Sequence, residues 1–167
     1  WPENTIGRYG IYGGSLTIDG DGSLNVSGGE AVNSYGIYAV GDVSINAGTV
    51  NAKGGDYEKA AVCSSYGIYA GGSVTISSGT VTATGGNLNT KFPLASCGIY
   101  SDSSVIITGG VVEANGGNIY CNDGSVSSYG RMESSGISAS KVKITDGKVT
   151  ASGGNFWDYL NVNEHGL

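Results

Sequence analysis

The sequence predicts an all-β chain that winds into a right-handed parallel β-helix, a β-solenoid of about five coils. Three observations lead to this prediction. Glycine provides 31 of the 167 residues, short runs alternate apolar and polar side chains, and one motif recurs at a nearly fixed distance from a later glycine pair. No stretch has the apolar spacing of an amphipathic helix. The glycines lack the three-residue period of collagen, so we expect an ordered array of strands.

Five copies of a Gly-Ile motif mark the coils. In the first four copies tyrosine follows the isoleucine, and a Gly-Gly pair begins 18 residues after the first glycine in four coils and 17 residues after it in the fifth. A constant core joined by variable spacers is the signature of stacked repeats. We therefore expect a single domain, 1–167, with coils near 10–29, 36–55, 67–86, 98–117 and 136–154.

Three short strands are predicted in each coil, and the third coil shows them most clearly. They cover 67–70, 73–77 and 80–84. Their alternating apolar side chains are expected to face inward: Ile68, Val74, Ile76, Val81 and Ala83. One coil cannot bury these groups alone, whereas coils stacked ~4.8 Å apart satisfy the backbone hydrogen bonds and close a core. Parallel crossovers are nearly always right-handed, which sets the expected hand of the helix.

Both ends of the chain depart from the repeat. Segments 1–9 and 155–167 carry bulky side chains, and we expect them to be caps or tails that cover the ends of the rod. The sequence opens at Trp1-Pro2-Glu3 without the features of a signal peptide. We expect a secreted or cell-surface protein whose signal and anchor lie outside these residues.

The charge pattern disfavours two classes of partner. Eight basic and fourteen acidic residues give a net charge of −6, and the acids are scattered along the chain. Binding of nucleic acid or of an anionic membrane surface calls for basic patches, so neither partner is expected. No apolar run approaches the roughly 20 residues needed to cross a bilayer, so direct membrane insertion is not expected either.

The spacers between coils are the predicted binding face. They contain 6, 11, 11 and 18 residues and all leave from the same corner of the coil. Insertions confined to one side of a solenoid often form its binding surface. Aromatic rings beside polar groups suit the apolar and hydroxyl faces of sugars, although such rings could instead fold back onto the rod. The candidate ligand-binding residues on this loop face are Tyr57, Phe92, Tyr120, Trp157, Tyr159, Asp123 and Arg131.

A second aromatic feature is a column of tyrosines at equivalent positions in four coils. Strand alternation places Tyr12, Tyr38, Tyr69 and Tyr100 opposite the inward isoleucines, so we expect an exposed ladder of rings ~5 Å apart. Stacking alone would stabilise the rod by about 0.5–1.5 kcal/mol per pair. The alternative role for this ladder is a carbohydrate platform.

Metal and thiol chemistry give weaker signals. The run 19–22, Asp-Gly-Asp-Gly, resembles the start of a calcium loop but lacks the later ligands, and calcium between coils near Asp42 or Asp102 is possible. No other cofactor is expected. The three cysteines, Cys63, Cys97 and Cys121, match no zinc pattern and permit either one disulfide or free thiols.

Catalysis is not expected. His165 is the only histidine and lies in the C-terminal segment, which disfavours a Ser/His or Cys/His nucleophile. Glycosidases need two opposed carboxylates, and no such pair stands out on one strand row. We therefore name no catalytic residue.

The segments Gly-Ile-Tyr-Ala, Ser-Val-Thr-Ile and Gly-Thr-Val-Thr-Ala within 67–86 resemble repeats of bacterial surface proteins with pectate-lyase-like β-helices. The resemblance covers about residues 10–154. It implies a secreted or wall-attached bacterial protein that binds polysaccharide or a host cell-surface glycan, sometimes with calcium. No lyase motif is matched. A structural spacer or protein-binding adhesin segment is the alternative, and a polysaccharide lyase is a more distant one.

Overall fold

A computed structural model describes residues 7–59, 62–121 and 132–158, and these form a right-handed parallel β-helix. Every pairing between its strands is parallel. The strands are β1 (Gly7–Gly13), β2 (Leu16–Ile18), β3 (Ser23–Ser27), β4 (Asn33–Ala39), β5 (Val43–Ile45), β6 (Thr49–Lys53), β7 (Val62–Ala70), β8 (Val74–Ile76), β9 (Thr80–Thr84), β10 (Leu88–Thr90), β11 (Phe92–Ile107), β12 (Val111–Asn115), β13 (Ile119–Cys121), β14 (Glu133–Ile144), β15 (Lys148–Ser152) and β16 (Phe156–Asp158).

The strands form three sheets: two run the length of the described rod, and the third spans its last three coils. Sheet A has the path β1-β4-β7-β11-β8-β5-β2, with β14 also paired to β11. The path reverses at β11, because this long strand covers two of the predicted short strands. Its first part pairs with β7 and its last part pairs with β8. Strand β14 is long for the same reason. Sheet B has the order β15-β12-β9-β6-β3, and sheet C has the order β10-β13-β16. Sheets A and B contain the three predicted strands of each coil, whereas sheet C is additional.

The predicted apolar columns form the core. Ile37, Ile68 and Ile99 lie in register on neighbouring coils, and each is fully buried. The valine, isoleucine and alanine columns of the other two strands join them in one cluster. Complete burial of such a side chain contributes about 1.5–3 kcal/mol. The inward alternation predicted from the sequence is confirmed.

One glycine column fixes the turn between sheets A and B. Gly48, Gly79 and Gly110 have φ of 80°, 86° and 83°, a left-handed conformation that other residues adopt only with strain. A Cβ on Gly79 would also lie 2.5 Å from the carbonyl oxygen of Gly48 in the coil below. Both backbone conformation and close stacking therefore require glycine here.

A buried serine column joins successive coils. The Ser65 hydroxyl donates to the Gly55 carbonyl oxygen at 2.9 Å and accepts from the Gly86 N–H at 2.9 Å. Ser34 and Ser96 repeat this arrangement one coil below and one coil above. Each hydroxyl satisfies backbone groups at the corner where a spacer leaves the coil.

The described parts of the two terminal segments are strands that extend the rod. Gly7–Tyr9 belong to β1, which pairs with β4, and Phe156–Asp158 form β16, which pairs with β13. The expectation that 1–9 and 155–167 are caps or tails stays a prediction. The remainder of both segments lies outside the described residues.

Candidate functional site

The spacers begin with regular structure, and this creates sheet C. Tyr57 forms a parallel bridge to Leu88, the first residue of β10. Leu88, Ile119 and Phe156 occupy one in-register column of the sheet. The next column places Asn89, Tyr120 and Trp157 in register. The loop face is therefore ordered where the spacers start.

The inner column of sheet C builds a second small core. Tyr57, Cys63, Leu88 and Ile119 are all buried there, and Val32 packs against them. Tyr57 is only 7% exposed. Its ring therefore supports the loop face from beneath and offers no surface to a ligand.

The outer column carries an exposed aromatic pair, Tyr120 and Trp157. The two rings are stacked, with centroids 4.4 Å apart and planes inclined by 3°. Tyr120 is 38% exposed and Trp157 is 42% exposed. Tyr120 covers one face of the Trp157 indole, so the exposed part of Trp157 lies on the rest of its surface.

A row of amide side chains runs beside the aromatic pair. The N–H of Asn118 donates to Asn87 Oδ1 at 2.9 Å, and the N–H of Asn155 donates to Asn118 Oδ1 at 3.0 Å. Asp56 starts the row by accepting from the Asn87 N–H at 2.7 Å. Asn118 and Asn155 each precede an aromatic residue by two positions, so strand alternation places both rows on the same side of sheet C.

Carboxylates surround a cavity of about 340 Å³ between the first two spacers. Glu30, Asp56 and Glu58 line it. Lys53 lies 3.6 Å from Asp56 and Lys59 lies 3.2 Å from Glu30, both as exposed ion pairs. The Arg8 side chain lies against Gly29 beside them, so this end of the loop face is polar and its three acidic side chains are matched by three basic ones.

The candidate calcium carboxylates have protein partners in this structure. Asp42 Oδ1 accepts from the Ser73 N–H at 2.7 Å, and Asp102 Oδ2 accepts from the Tyr69 hydroxyl at 2.8 Å. Among the described residues, no group of three histidine, cysteine or acidic side chains could hold a metal ion. Calcium binding stays a prediction.

The tyrosine ladder stacks as predicted. Ring centroids are 5.4 Å apart for Tyr12–Tyr38, 4.9 Å for Tyr38–Tyr69 and 5.3 Å for Tyr69–Tyr100, with nearly parallel planes. The rings turn their faces toward one another, and this leaves mainly edges and hydroxyls on the surface. Tyr12, at the end of the ladder, is 63% exposed.

A second tyrosine column adjoins the ladder and was not identified from the sequence. Tyr9 stacks on Tyr35 at 5.2 Å, and Tyr35 stacks on Tyr66 at 5.5 Å. Tyr35 also meets Tyr38 edge-on at 4.8 Å. Burial raises the pKa of Tyr35 to about 12. The repeated Tyr-Gly-Ile-Tyr motif was the available signal for two adjacent columns.

The glycine inside this motif explains how two nearby tyrosines share one side. A Cβ on Gly36 would come within 2.7 Å of the Lys53 nitrogen, so the chain presses against β6 at this point. Gly36 and Ile37 are both buried, which interrupts simple alternation. Tyr35 and Tyr38 therefore lie on either side of the buried Gly36 and Ile37, and their rings meet on the outer side of the strand.

All three cysteines are buried thiols in this structure. Burial raises the pKa of Cys63 to about 12, and burial together with the charge of Glu133 raises the pKa of Cys97 to about 12. The Cys121 thiol donates to the Lys91 carbonyl oxygen at 3.4 Å. Of the two thiol states that the sequence permits, the structure has the free thiols.

The remaining predicted site residues divide into two groups. Phe92 is half-buried at the start of β11, in register with Val62, and is separate from the aromatic pair in the sheet order. Asp123, Arg131 and Tyr159 lie outside the described residues.

Comparison with known proteins agrees with the coil geometry. The family model described as beta helix repeat matches residues 43–68, 74–99 and 142–157. The three matched segments make up less than half of the chain, and the match agrees with the parallel β-helix fold. No curated protein and no solved structure is significantly similar to the chain. Within its described residues, the chain has no helix that is both long and apolar enough to cross a membrane.

Proposed function

We propose that this chain is a non-catalytic glycan-binding module of an extracellular or cell-surface protein, with the glycan on the outer face of sheet C. The aromatic pair carries the proposal. Two large rings, 38% and 42% exposed, are held parallel on a β-sheet instead of on a mobile loop. A rigid aromatic surface loses little side-chain entropy when it binds a ligand.

The chemistry of the face fits a sugar chain. The C–H groups of a pyranose pack on an aromatic face, while its hydroxyls need donors and acceptors nearby. The outer face of Trp157 provides the first surface. Asn118 and Asn155 lie in the adjacent row and provide amide groups for the hydroxyls.

The charge of the face favours a neutral glycan over a uronate-bearing or sulfated one. Glu30, Asp56 and Glu58 line the cavity at the other end of the loop face beside Lys53, Lys59 and Arg8, so this end has no excess of positive charge to attract a polyanion. The whole chain has a net charge of −6. A polyanionic glycan would therefore meet net repulsion from the protein as a whole.

A glycan array followed by affinity electrophoresis in polysaccharide gels tests the proposal. We expect retention by one class of neutral glycan, and at least about tenfold weaker binding for Trp157→Ala, a change of about 1.4 kcal/mol. Tyr120→Ala should weaken binding less, because it leaves the outer indole face in place. Repeating the gels with calcium and with chelator tests the possible metal requirement.

Val111→Ala is the matched control, because Val111 is 45% exposed on sheet B, away from the loop face. It should bind like the wild type. Equal retention of the wild type and Trp157→Ala would overturn the assignment of the site. Release of unsaturated products from pectin, seen by their ultraviolet absorbance, would instead indicate a lyase.

A structural spacer or adhesin segment is the second candidate, and the tyrosine ladder favours it. The faces of Tyr12, Tyr38, Tyr69 and Tyr100 are used in stacking on one another, which is what a rod needs for rigidity. A folded chain that is retained by no glycan class would support this function.

A further inference from the structure

The two tyrosine columns together form one continuous stack of rings, which consists of the tyrosine ladder and Tyr9, Tyr35 and Tyr66. Within each column, neighbouring ring centroids are 4.9–5.5 Å apart, and between the columns they are 4.8–5.6 Å apart. Such separations are typical of aromatic rings in direct contact. Each ring contacts a neighbour in its own column and a neighbour in the other column. Because electron transfer weakens steeply with distance, rings in contact form a connected path for electrons.

Tyr69 lies in the middle of this stack, and its hydroxyl has a carboxylate partner. The ring stacks on the ladder tyrosines of both adjacent coils and meets two rings of the second column through its edge or at a steep angle. Its hydroxyl donates to Asp102 Oδ2 at 2.8 Å, within the usual range for a hydrogen bond between two oxygens. Burial and this hydrogen bond raise the pKa of Tyr69. The phenol therefore keeps its proton, and an acceptor for that proton is already in place.

A phenol loses an electron most easily where a base can take its proton at the same time. Removal of an electron from the ring makes the hydroxyl a strong acid, so a carboxylate that already accepts its hydrogen bond receives the proton. At Tyr69 the O–H bond breaks, the proton moves to Asp102 Oδ2, and a neutral phenoxyl radical stays on the ring. We therefore expect an oxidised state of the stack to reside at Tyr69.

We propose that the stack is a one-electron relay, which reduces radical oxidants such as peroxyl radicals at its accessible rings and keeps the oxidised state at Tyr69. Tyr38 and Tyr100 are half-buried in the second and fourth coils, so an oxidant reaches the stack from the side of sheet A. A peroxyl radical takes an electron and the hydroxyl proton from such a ring and leaves as a hydroperoxide. Tyr69 then gives an electron to that ring, which regains a proton from water, while the Tyr69 proton passes to Asp102. One oxidant is thereby reduced, and one phenoxyl radical stays in the protein.

The thiol that adjoins the stack does not compete with Tyr69 for the oxidised state. Cys97 lies in register with Tyr66, where it continues the second column, and it is fully buried. Burial and the charge of Glu133 raise the pKa of Cys97 to about 12, so the side chain is held as a thiol. The thiolate is the form of cysteine that is readily oxidised. The radical therefore stays on the phenol that has the carboxylate partner.

Flash photo-oxidation of the chain with a ruthenium polypyridyl complex and a cobalt(III) electron acceptor tests the assignment of Tyr69. We expect a tyrosyl radical by electron paramagnetic resonance, and spin trapping with peptide mass spectrometry should locate it at Tyr69. Peroxyl radicals released by a water-soluble azo initiator should give the same radical. Asp102→Asn should lower its yield about tenfold, because the proton acceptor loses its charge. Asp42→Asn is the matched control, since Asp42 accepts from the Ser73 N–H, and it should behave like the wild type.

A photo-oxidant attached at a fixed position tests transfer from ring to ring. Gly14 has open space around it and lies close to Tyr12 in the sequence, so Gly14→Cys accepts a ruthenium label, whereas the native thiols are buried. We expect the radical at Tyr69, one coil beyond Tyr38. Tyr35→Phe combined with Tyr38→Phe keeps the packed rings but removes both routes to Tyr69, so the radical there should be lost.

Tyr120→Phe in the labelled chain is the control for this step, because Tyr120 belongs to sheet C and not to the stack. It should leave the yield at Tyr69 unchanged. Circular dichroism shows that each variant remains folded. Equal radical yields for the wild type and Asp102→Asn would overturn the proposal. So would a radical trapped mainly at another residue, including Cys97, or a labelled double variant that still forms the radical at Tyr69.

Discussion

Ser65→Ala should strongly destabilise the rod, although it removes only one oxygen atom. Ser65 is fully buried, and its hydroxyl serves two backbone groups, the Gly55 carbonyl and the Gly86 N–H. Both glycines are themselves buried, so water cannot easily replace the hydroxyl. The substitution removes the shared partner of a donor and an acceptor in two successive coils.

The expected loss follows from the number of unsatisfied groups. Each buried polar group that loses its partner costs about 1–3 kcal/mol. Two such groups give about 2–4 kcal/mol after modest relaxation, a large share of the stability of a typical domain. Chemical denaturation followed by far-ultraviolet circular dichroism measures the free energy of unfolding.

Ser78→Ala provides the matched control, because Ser78 is exposed in the turn before β9. It should change the free energy of unfolding by less than about 0.5 kcal/mol. A similarly small change for Ser65→Ala would refute the reasoning, because it would mean that the two backbone groups find other partners.

Three further predictions concern the ladder, a turn and alkaline pH. Tyr38→Ala should cost more stability than Tyr12→Ala, because Tyr38 stacks on two rings whereas Tyr12 ends the ladder. Gly79→Ala should cost about 1–3 kcal/mol through left-handed strain, and Gly14→Ala, with open space around it, should be nearly neutral. Burial raises the pKa of Tyr35 to about 12 from its usual 10, so stability should fall between pH 10 and 12.

The raised pKa of Tyr35 determines the direction in which stability changes with pH. Above pH 10 the unfolded chain releases the Tyr35 proton before the folded chain does, so rising pH favours unfolding, while below pH 10 this group has no effect. Denaturation across this range, with spectroscopic titration of tyrosine, checks it. Equal losses of unfolding free energy for Tyr38→Ala and Tyr12→Ala would contradict the stacking prediction, and an unchanged value for Gly79→Ala would contradict the turn prediction. Unchanged stability at pH 12 would contradict the prediction for Tyr35.

The repeat made the main fold predictable from the sequence. Identical β-branched residues at equal offsets, such as Ile37, Ile68 and Ile99, can stack only if the coils are in register, and the structure has them in register. The tyrosine ladder followed from the same alternation. Columns that repeat an apolar or aromatic residue were therefore visible without coordinates.

Sheet C was harder to predict, because its columns are chemically mixed and its spacers differ in length. The inner column runs Tyr57, Leu88, Ile119 and Phe156, so no single residue type repeats. Each residue of this column follows a Gly-Gly pair and one Asp or Asn in the sequence. That constant spacing was the available signal for the column. The spacers differ in length only after these residues, and the differing lengths made the shared spacing at their start hard to recognise.

The buried serines were invisible for a different reason. Ser65 lies among many serines of the chain, and only its hydrogen bonds to Gly55 and Gly86 separate it from the exposed ones. Polarity alone predicts exposure, whereas a hydroxyl that satisfies backbone groups at a tight corner is buried. Such a role depends on three-dimensional geometry.

The most direct test of the account is a two-dimensional NMR titration of the monomeric chain with a glycan retained in the gels. The account predicts that the largest shifts occur at the Trp157 indole N–H and at the amides of Tyr120, Asn118 and Asn155, with little change at Tyr12 or Tyr38. Shifts confined to the tyrosine ladder, or to sheet B, would contradict the placement of the binding face on sheet C.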